Sequence, residues 1–552
     1  MSPDTLPRQV SMRTRDGVRL DADLYMPAGD GPFPVLLMRQ PYGRRIASTV
    51  TYAHPAWYAA HGYIVVIQDV RGRGTSEGTF EPFVNEQQDG EDTLEWVASL
   101  SGSNGRVGMY GFSYQGVTQL LAAASHHPAL QAMVPAMCGF HLEKDWATEG
   151  GAMRLYNTLT WAAQLGAETA RREGDHALFA QCYRLGHGPG AHELIDPASP
   201  GVRALLAGTH YDGWLDSAPG SDYWKDRSPG MFLDGVDLPC LHIGGWYDSF
   251  LTGTFSAYRH FETHCDAPQK LLIGPWTHLP WTPAVGASWL GESAVSAVDF
   301  LQLNWFDRFL RDRDNGVDRS APVTLYDLRA QGWREQDSFS RHIDQRLHLH
   351  SNGRAALDTD AGVLAPQPAT SAATDVLVND PWRPVPTTGG HLAPSVGIQD
   401  RTAIDARPDV ATYTTAPLSE SLLVGGEVVV TLVAAGDEDS FDLSAVLSVV
   451  DAQGRARNLT QGYCRVRNDA GPYRVAMRGA CALIRPGERL RLSVSGSSYP
   501  AYTLNDGSGR VPGAVRAADY KVTTLRLDAA GSFIEWAGAD PEGQVLPKQP
   551  TC

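Results

Sequence analysis

Arg106-Val107-Gly108-Met109-Tyr110-Gly111-Phe112-Ser113-Tyr114-Gln115-Gly116-Val117 is the stretch on which the fold turns. Arg106 to Tyr110 is a short apolar run of the kind that forms a buried strand. Beyond it, Val117, Leu120, Leu121 and Ala124 recur at spacings 0, 3, 4 and 7, one apolar face of a helix. Ser113 therefore sits where a strand turns into a helix. A serine hydroxyl is a weak nucleophile at neutral pH; it needs a turn that presents it and a base that removes its proton. The flanking glycines permit a tight turn, and a helix start supplies free backbone N–H groups. The usual elbow reads G-x-S-x-G. Here the second glycine comes one place late, with Gln115 where it would stand. On spacing alone, a nucleophilic Ser113 and a plain strand-to-helix turn both remain open.

Working outward, Val35 to Met38 and Tyr63 to Ile67 are further short apolar runs, and Asp92 to Leu100 carries a helical pattern between strands. Strand alternating with helix predicts an α/β domain. From about Asp145 the texture changes. Residues 146–235 hold helical stretches (Leu155 to Glu173 and Ala177 to Leu185) among Gly- and Pro-rich loops. Strand-like text returns at Pro239 to Ile243 and Lys270 to Ile273. The predicted organisation is an α/β domain over 1–145 and 236–344, interrupted by a helical cap at 146–235. From 345 to 552, strand-like runs (Arg346 to His350, Val428 to Val433, Leu443 to Val450, Leu490 to Val494) are punctuated by Gly, Pro, Asn and Asp. Long helical periodicity is absent, which predicts an all-β sandwich or jelly roll. A length of 552 residues accommodates about three domains.

The partners of Ser113 are sought at other strand ends. In this type of fold the chain order is serine, then an acid, then histidine. Asp248 follows the strand ending at Gly244, and His278 follows the strand ending at Gly274. Three placements in the required order predict a Ser113–His278–Asp248 triad. Asp248 could instead cap the next helix. Of the 17 histidines, His242 lies within a strand run and is expected to be packed; His260 and His264 fall on a helix and are expected to be solvated.

Bulk properties exclude several functions. The net charge of −16 repels a phosphate backbone, and Arg44-Arg45 and Arg171-Arg172 are too short to reverse that. No nucleic-acid partner is expected. The seven cysteines form no C-x-x-C pair, so neither a metal site nor a disulfide scaffold is expected; Cys552 is read as free at the tail. No run approaches the ~18 apolar residues of a membrane helix, and the first ten residues lack a signal-peptide core. A cytoplasmic home and no membrane partner are the expectations, with a homodimer compatible.

Several motifs carry a resemblance. Arg39-Gln40-Pro41-Tyr42-Gly43, Asp69 to Gly78 (D-V-R-G-R-G-T-S-E-G), G-F-S-Y-Q-G around Ser113, G-G-W-Y-D-S-F around Asp248, G-P-W-T-H ending at His278, and Ser497 to Tyr502 (S-S-Y-P-A-Y) stand in order along nearly the whole chain. The chain is similar to the cocaine esterase and X-Pro dipeptidyl-peptidase family of α/β-hydrolases. The resemblance accounts for the late glycine through the family pattern G-x-S-Y-x-G. It implies an α/β-hydrolase domain, a helical cap and a C-terminal jelly roll. It also implies that the Tyr42 hydroxyl and the Tyr114 backbone N–H stabilise the oxyanion, and that no metal or organic cofactor is needed. Tyr42 could instead be a loop aromatic packed over the core. Arg71, Arg73 and Asp69 are read as loop anchors.

The resemblance further places Trp161 in the cap and Phe250 beside the acid at aromatic pocket positions, although either could be ordinary core. Ala393-Pro394 stands where the cocaine esterase of the family carries Leu-Phe, an altered pocket wall that argues against cocaine itself as substrate. Relatives acting on α-amino acid esters hold the ammonium group with carboxylates. Ser249 to Gly253 contains no acid, though Glu143, Asp145 and Glu149 near the mouth of the cap could supply charge. The expected activity is a serine esterase or acylase for a small, largely uncharged ester or amide. The alternatives are an X-Pro dipeptidyl-peptidase, an α-amino acid ester hydrolase, or an acyltransferase using the same acyl-enzyme.

Overall fold

The computed structural model of the chain describes residues 6–45, 49–339, 343–370, 373–469, 471–538 and 541–550. Ten strands form the first sheet: β1 (Arg8–Arg13), β2 (Arg19–Tyr25), β3 (Phe33–Gln40), β4 (Ile64–Asp69), β5 (Ser103–Phe112), β6 (Leu130–Ala136), β7 (Cys240–Tyr247), β8 (Gln269–Thr277), β9 (Val323–Asp327) and β10 (Gly332–Gln336). Their order across the sheet is β1-β2-β4-β3-β5-β6-β7-β8-β9-β10. From β4 to β9 every pair is parallel, while β1, β2 and β10 add antiparallel edges.

The parallel centre explains the apolar runs. β4 and β7 are buried along their full length, as strands covered by helices on both faces must be. β1 (RQVSMR) is largely exposed and polar, which suits an edge. Two covering helices are α1 (Glu86–Ala98) and α2 (Tyr114–Ala123). The apolar run at 130–136 contains Pro135, which argues against a central strand; the proline is accommodated one residue before β6 ends.

Between β6 and β7 the chain leaves the sheet. Helix α3 (Leu155–Glu173) and helix α4 (His176–His187) form an antiparallel hairpin. It turns at Gly174, whose φ of 77° is open to glycine, and Asp175 caps α4 by accepting from the Leu178 N–H. Four shorter helices follow, ending at Asp222–Lys225. Helix α5 (Leu251–His264) follows β7, and helix α6 (Val298–Arg311) packs under β5 and β6. His242 is buried in β7, whereas on α5 His260 is half-buried and His264 exposed.

The C-terminal part is a β-rich, nearly closed barrel built from one network of eleven strands. Its longest strand, Thr523–Gly538, pairs antiparallel with Gln345–His350, Thr374–Asn379 and Leu422–Gly436. The barrel and the α/β sheet share one continuous apolar core that includes Trp246, Tyr326, Val428 and Trp536. Asp327 at the end of β9 accepts from the Leu483 N–H of the barrel, tying the two parts together. Six cysteines are free thiols among the described residues, and five of them are buried; Cys552 lies outside the described residues. Among the described residues no helix is long and apolar enough to cross a membrane.

Candidate active site

Ser113 occupies the one-residue hinge between β5 and α2, with φ 61° and ψ −127°. A non-glycine residue in that region is strained, and such strain persists only where surroundings impose it. Here the Ser113 N–H donates to Ala136 O at 2.9 Å, and the Ser113 carbonyl starts the helix by accepting from Gly116 and Val117. Both flanking glycines are required by close approach. A Cβ at Gly116 would lie 2.6 Å from Cys138 Cβ, and one at Gly111 would lie 2.5 Å from Gln115 Cβ. Gln115, at the place a glycine would hold in the common elbow, accepts from the Phe112 N–H through Oε1 at 3.1 Å. The late glycine thus reflects helix packing against the Cys138 strand end.

Asp248 sits one residue past β7 and is fully buried. Its Oδ2 accepts from the Phe250 N–H at 2.9 Å and its Oδ1 from His278 Nδ1 at 2.7 Å. It therefore closes the turn that precedes the next helix, whose N-cap is Phe250, and orients an imidazole at once. His278 follows β8 directly, is part-exposed, and is flanked by the rings of Phe250 at 4.9 Å and Phe112 at 5.4 Å. β7 and β8 approach closely enough to bring acid and histidine together because Gly245 has no side chain. A Cβ there would lie 2.3 Å from Trp276 O.

Ser113, His278 and Tyr42 line one cavity of about 650 Å³. The Tyr42 hydroxyl lies within hydrogen-bonding reach of Ser113 and accepts from Trp161 Nε1 at 3.1 Å. The indole N–H takes one lone pair of the phenol oxygen and leaves the O–H able to donate. Burial pushes its pKa up to about 12, so it keeps its proton through the neutral range. The Tyr114 side chain points away from the cavity: its hydroxyl donates to Glu86 Oε1 at 2.8 Å and accepts from the Phe83 N–H at 3.0 Å. Only its backbone N–H, at the first position of α2, remains available to a ligand.

The anchoring residues behave as loop braces. Asp69 accepts from the Arg44 N–H at 2.7 Å, from the Arg44 guanidinium at 2.5 Å and from Gln40 Nε2 at 2.9 Å, which shapes the Pro41-Tyr42 turn. Arg71 joins Asp16 and Asp89, and Arg73 donates to Leu165 O of the cap at 3.1 Å.

Trp161, Phe250 and Ala393 all line the cavity, and Pro394 follows directly behind Ala393 without lining it. The Ala393 N–H is directed to Asn157 Oδ1 of the cap at 3.3 Å. Trp146 is a wall residue that sequence reasoning missed. Its ring lies 4.2 Å from Phe250 and 5.1 Å from Trp161, closing an aromatic box. It falls in a π-helical turn, Glu143–Ala147, which has no periodic signature in a sequence.

The nearby carboxylates are committed elsewhere. Glu143 accepts from Gly220 N–H and Asp145 from His141 N–H, each at 2.8 Å. Glu149 is buried against His391 at 2.7 Å, Arg478 at 3.1 Å and Arg154 at 3.5 Å. Burial would raise its pKa, but these partners outweigh it and hold the carboxyl well below the usual range. None of the three lines the cavity; the lining acid, Glu168, pairs with Arg171 at 2.8 Å. Arg478 of the barrel also donates to the Asp248 carbonyl at 3.1 Å, and Arg154 of the cap to the Ser249 carbonyl at 2.7 Å. All three parts of the chain therefore brace the loop that carries the acid.

A strand-to-helix serine, a bonded acid–histidine pair and a parallel sheet define the α/β serine-hydrolase class. Family comparison agrees. Residues 16–280 match the X-Pro dipeptidyl-peptidase (S15) family, and residues 315–520 match the X-Pro dipeptidyl-peptidase C-terminal non-catalytic domain. The chain is 32% identical over 532 residues to the cocaine esterase of Rhodococcus sp. (strain MB1 Bresler), covering 91% of this chain and 92% of that one. In fold it is similar to an aminopeptidase from a marine sediment Thaumarchaeota archaeon (TM-score 0.81, 21% identity, 98% and 97% coverage). An α-amino acid ester hydrolase shares the fold too (TM-score 0.75, 22% identity, 98% of each chain). The chain belongs to the cocaine esterase and X-Pro dipeptidyl-peptidase family of serine hydrolases.

Proposed function

We propose that the protein hydrolyses the ester or amide bond of a small, largely uncharged acyl substrate through an acyl-enzyme on Ser113. The observation that carries this reading is the 2.7 Å His278–Asp248 bond in a cavity shared with the strained Ser113. His278 Nδ1 is engaged by Asp248, so Nε2 takes the Ser113 proton as Oγ attacks the carbonyl carbon. Negative charge moves to the carbonyl oxygen, where the Tyr42 hydroxyl and the Tyr114 N–H donate to it. The His278 cation, stabilised by Asp248, returns the proton to the departing alcohol or amine. Water activated by the same imidazole then cleaves the acyl-enzyme.

The walls indicate the substrate class. Trp146, Trp161, Phe250 and Phe112 surround the reacting centre with apolar surface. The acids near the cap are paired or hydrogen-bonded elsewhere, so a free α-ammonium group would be desolvated without a counter-charge. This argues against X-Pro peptides and α-amino acid esters. We assign catalysis to 1–145 and 236–344, the substrate roof to 146–235, and a supporting role to 345–552.

Ser113→Ala is expected to abolish hydrolysis of p-nitrophenyl butyrate and labelling by a fluorophosphonate probe, with an unchanged melting temperature. Retained turnover in that variant would end the proposal. A preference for Ala-Pro-arylamide over butyryl esters would move the assignment to the peptidase reading. Ester formation with added alcohols would favour acyl transfer.

A further inference from the structure

The cavity does not stop at the aromatic box. It continues outward between α3 and α4, and its outer wall is one face of α4: Phe179, Cys182, Tyr183, Gly186 and His187. These positions fall at spacings 0, 3, 4, 7 and 8, a single helical stripe. Within it three rings form a ladder. Phe179 stacks on Tyr183 at 5.7 Å with 30° between planes, and Tyr183 on His187 at 4.0 Å with 31°.

Folding does not account for this ladder. The cap's own apolar core runs through Leu159, Ala163, Leu185 and Leu206 and uses none of the three rings. Tyr183 is 52% exposed, and Phe179 is half-buried. Two aromatic rings left wet at the rim of a cavity gain free energy when apolar surface covers them, and a flat ring covers their faces best. The facing wall on α3 carries Gln164 and Glu168, and Glu168 is held by Arg171 rather than free to meet a cation. The stripe thus presents the faces of two aromatic rings and an imidazole, and it lines the same space as Ser113.

We infer that the α4 ladder is a distal substrate subsite, which binds a planar aromatic group carried several bonds away from the scissile carbonyl. The inference rests on the esterase reading above and extends it. The substrate is an ester or amide with a small acyl centre in the inner box and an aromatic end lying against Tyr183 and Phe179. The aromatic end can belong to the acyl chain or to the alcohol; the chemistry that recognises it is the same.

Three esters separate these sources without changing the chemistry at the carbonyl: butyl butyrate, 2-(2-naphthyl)ethyl butyrate, and butyl 4-(2-naphthyl)butanoate. The quantity measured is kcat/KM for each naphthyl ester divided by that for butyl butyrate, in the full-length protein. Tyr183→Ala and Phe179→Ala are expected to lower the ratio about tenfold for one naphthyl ester, and the ester affected assigns the acyl or the alcohol side. Tyr183→Phe is expected to restore it, because the ring and not the hydroxyl makes the stack. Turnover of butyl butyrate stays within twofold in all variants, which separates the subsite from the catalytic machinery. Ratios that stay within twofold of the unsubstituted protein for both naphthyl esters overturn the inference. Failure of the unsubstituted protein to cleave butyl butyrate would instead refute the esterase reading.

Discussion

Replacing Tyr42 by Phe removes one oxygen and tests the oxyanion assignment directly. The ring keeps its packing beside Trp161, so the perturbation is confined to two hydrogen bonds: the one accepted from Trp161 Nε1 and the one reaching Ser113. If the phenol donates to the developing oxyanion, its loss costs about 3–4 kcal/mol of transition-state stabilisation, or roughly 10²–10³ in kcat. The Tyr114 N–H remains as a donor, so activity is reduced and not abolished. Trp161 loses an acceptor, which costs about 1–2 kcal/mol of folding stability at most, because its indole stays at the cavity edge. KM for p-nitrophenyl butyrate is expected to stay within about threefold, since the ground-state carbonyl needs the donor less than the oxyanion does. The Tyr42 pKa of about 12 adds a second criterion. The hydroxyl is protonated well past neutrality, so the unsubstituted protein should show no loss of kcat from this group below about pH 11. Steady-state kinetics with a parallel melting curve decide the matter. A kcat within threefold of the parent protein, or a tenfold rise in KM with kcat unchanged, would refute the reasoning.

Two further expectations concern stability. Glu149→Gln leaves Arg154 and Arg478 buried beside one another without their shared counter-ion, and should cost about 3–5 kcal/mol in urea unfolding; a change under 1 kcal/mol would show that the cluster is not a brace. Burial lowers the pKa of His210 to about 3 and of His242 and His391 to about 4, against a usual value of 6.5. Between about pH 4 and 6.5 these three histidines bind more protons in the unfolded chain than in the folded one, so the stability they contribute rises with pH across that window and is lost as pH falls through it. The urea midpoint should drop steadily from pH 6.5 to 4, with a shallower slope in His210→Phe; a flat midpoint would contradict the burial argument.

Much of the site was legible because its chemistry needs local signatures. A serine at a strand-to-helix turn requires small neighbours, and Gly111 and Gly116 meet Gln115 and Cys138 at distances that admit no Cβ. An acid and a histidine beyond two apolar runs require only that those runs be adjacent parallel strands, which β7 and β8 are. The two long helices of the cap were readable, since α3 spans Leu155–Glu173 as expected and α4 encloses the expected Ala177–Leu185, whereas the four short helices after them carried no such signal.

Other features had no signature to read. Trp146 lies in a π-helical turn and faces Trp161 across the cavity. Glu149, suspected of serving the substrate, is instead enclosed by His391 and Arg478 from the barrel, more than 240 residues further along. Pro394, adjacent to a wall residue, is not among the residues lining the space.

Local order along the chain determined the main elements, the elbow and the order of Ser113, Asp248 and His278, because propensity, glycine placement and apolar period act over a few residues. Tertiary structure alone decided which partners hold each carboxylate, which ring lines the cavity and where the cavity ends. Those outcomes depend on desolvation and on contacts between cap, sheet and barrel, and such contacts exist only once segments far apart in sequence have packed together.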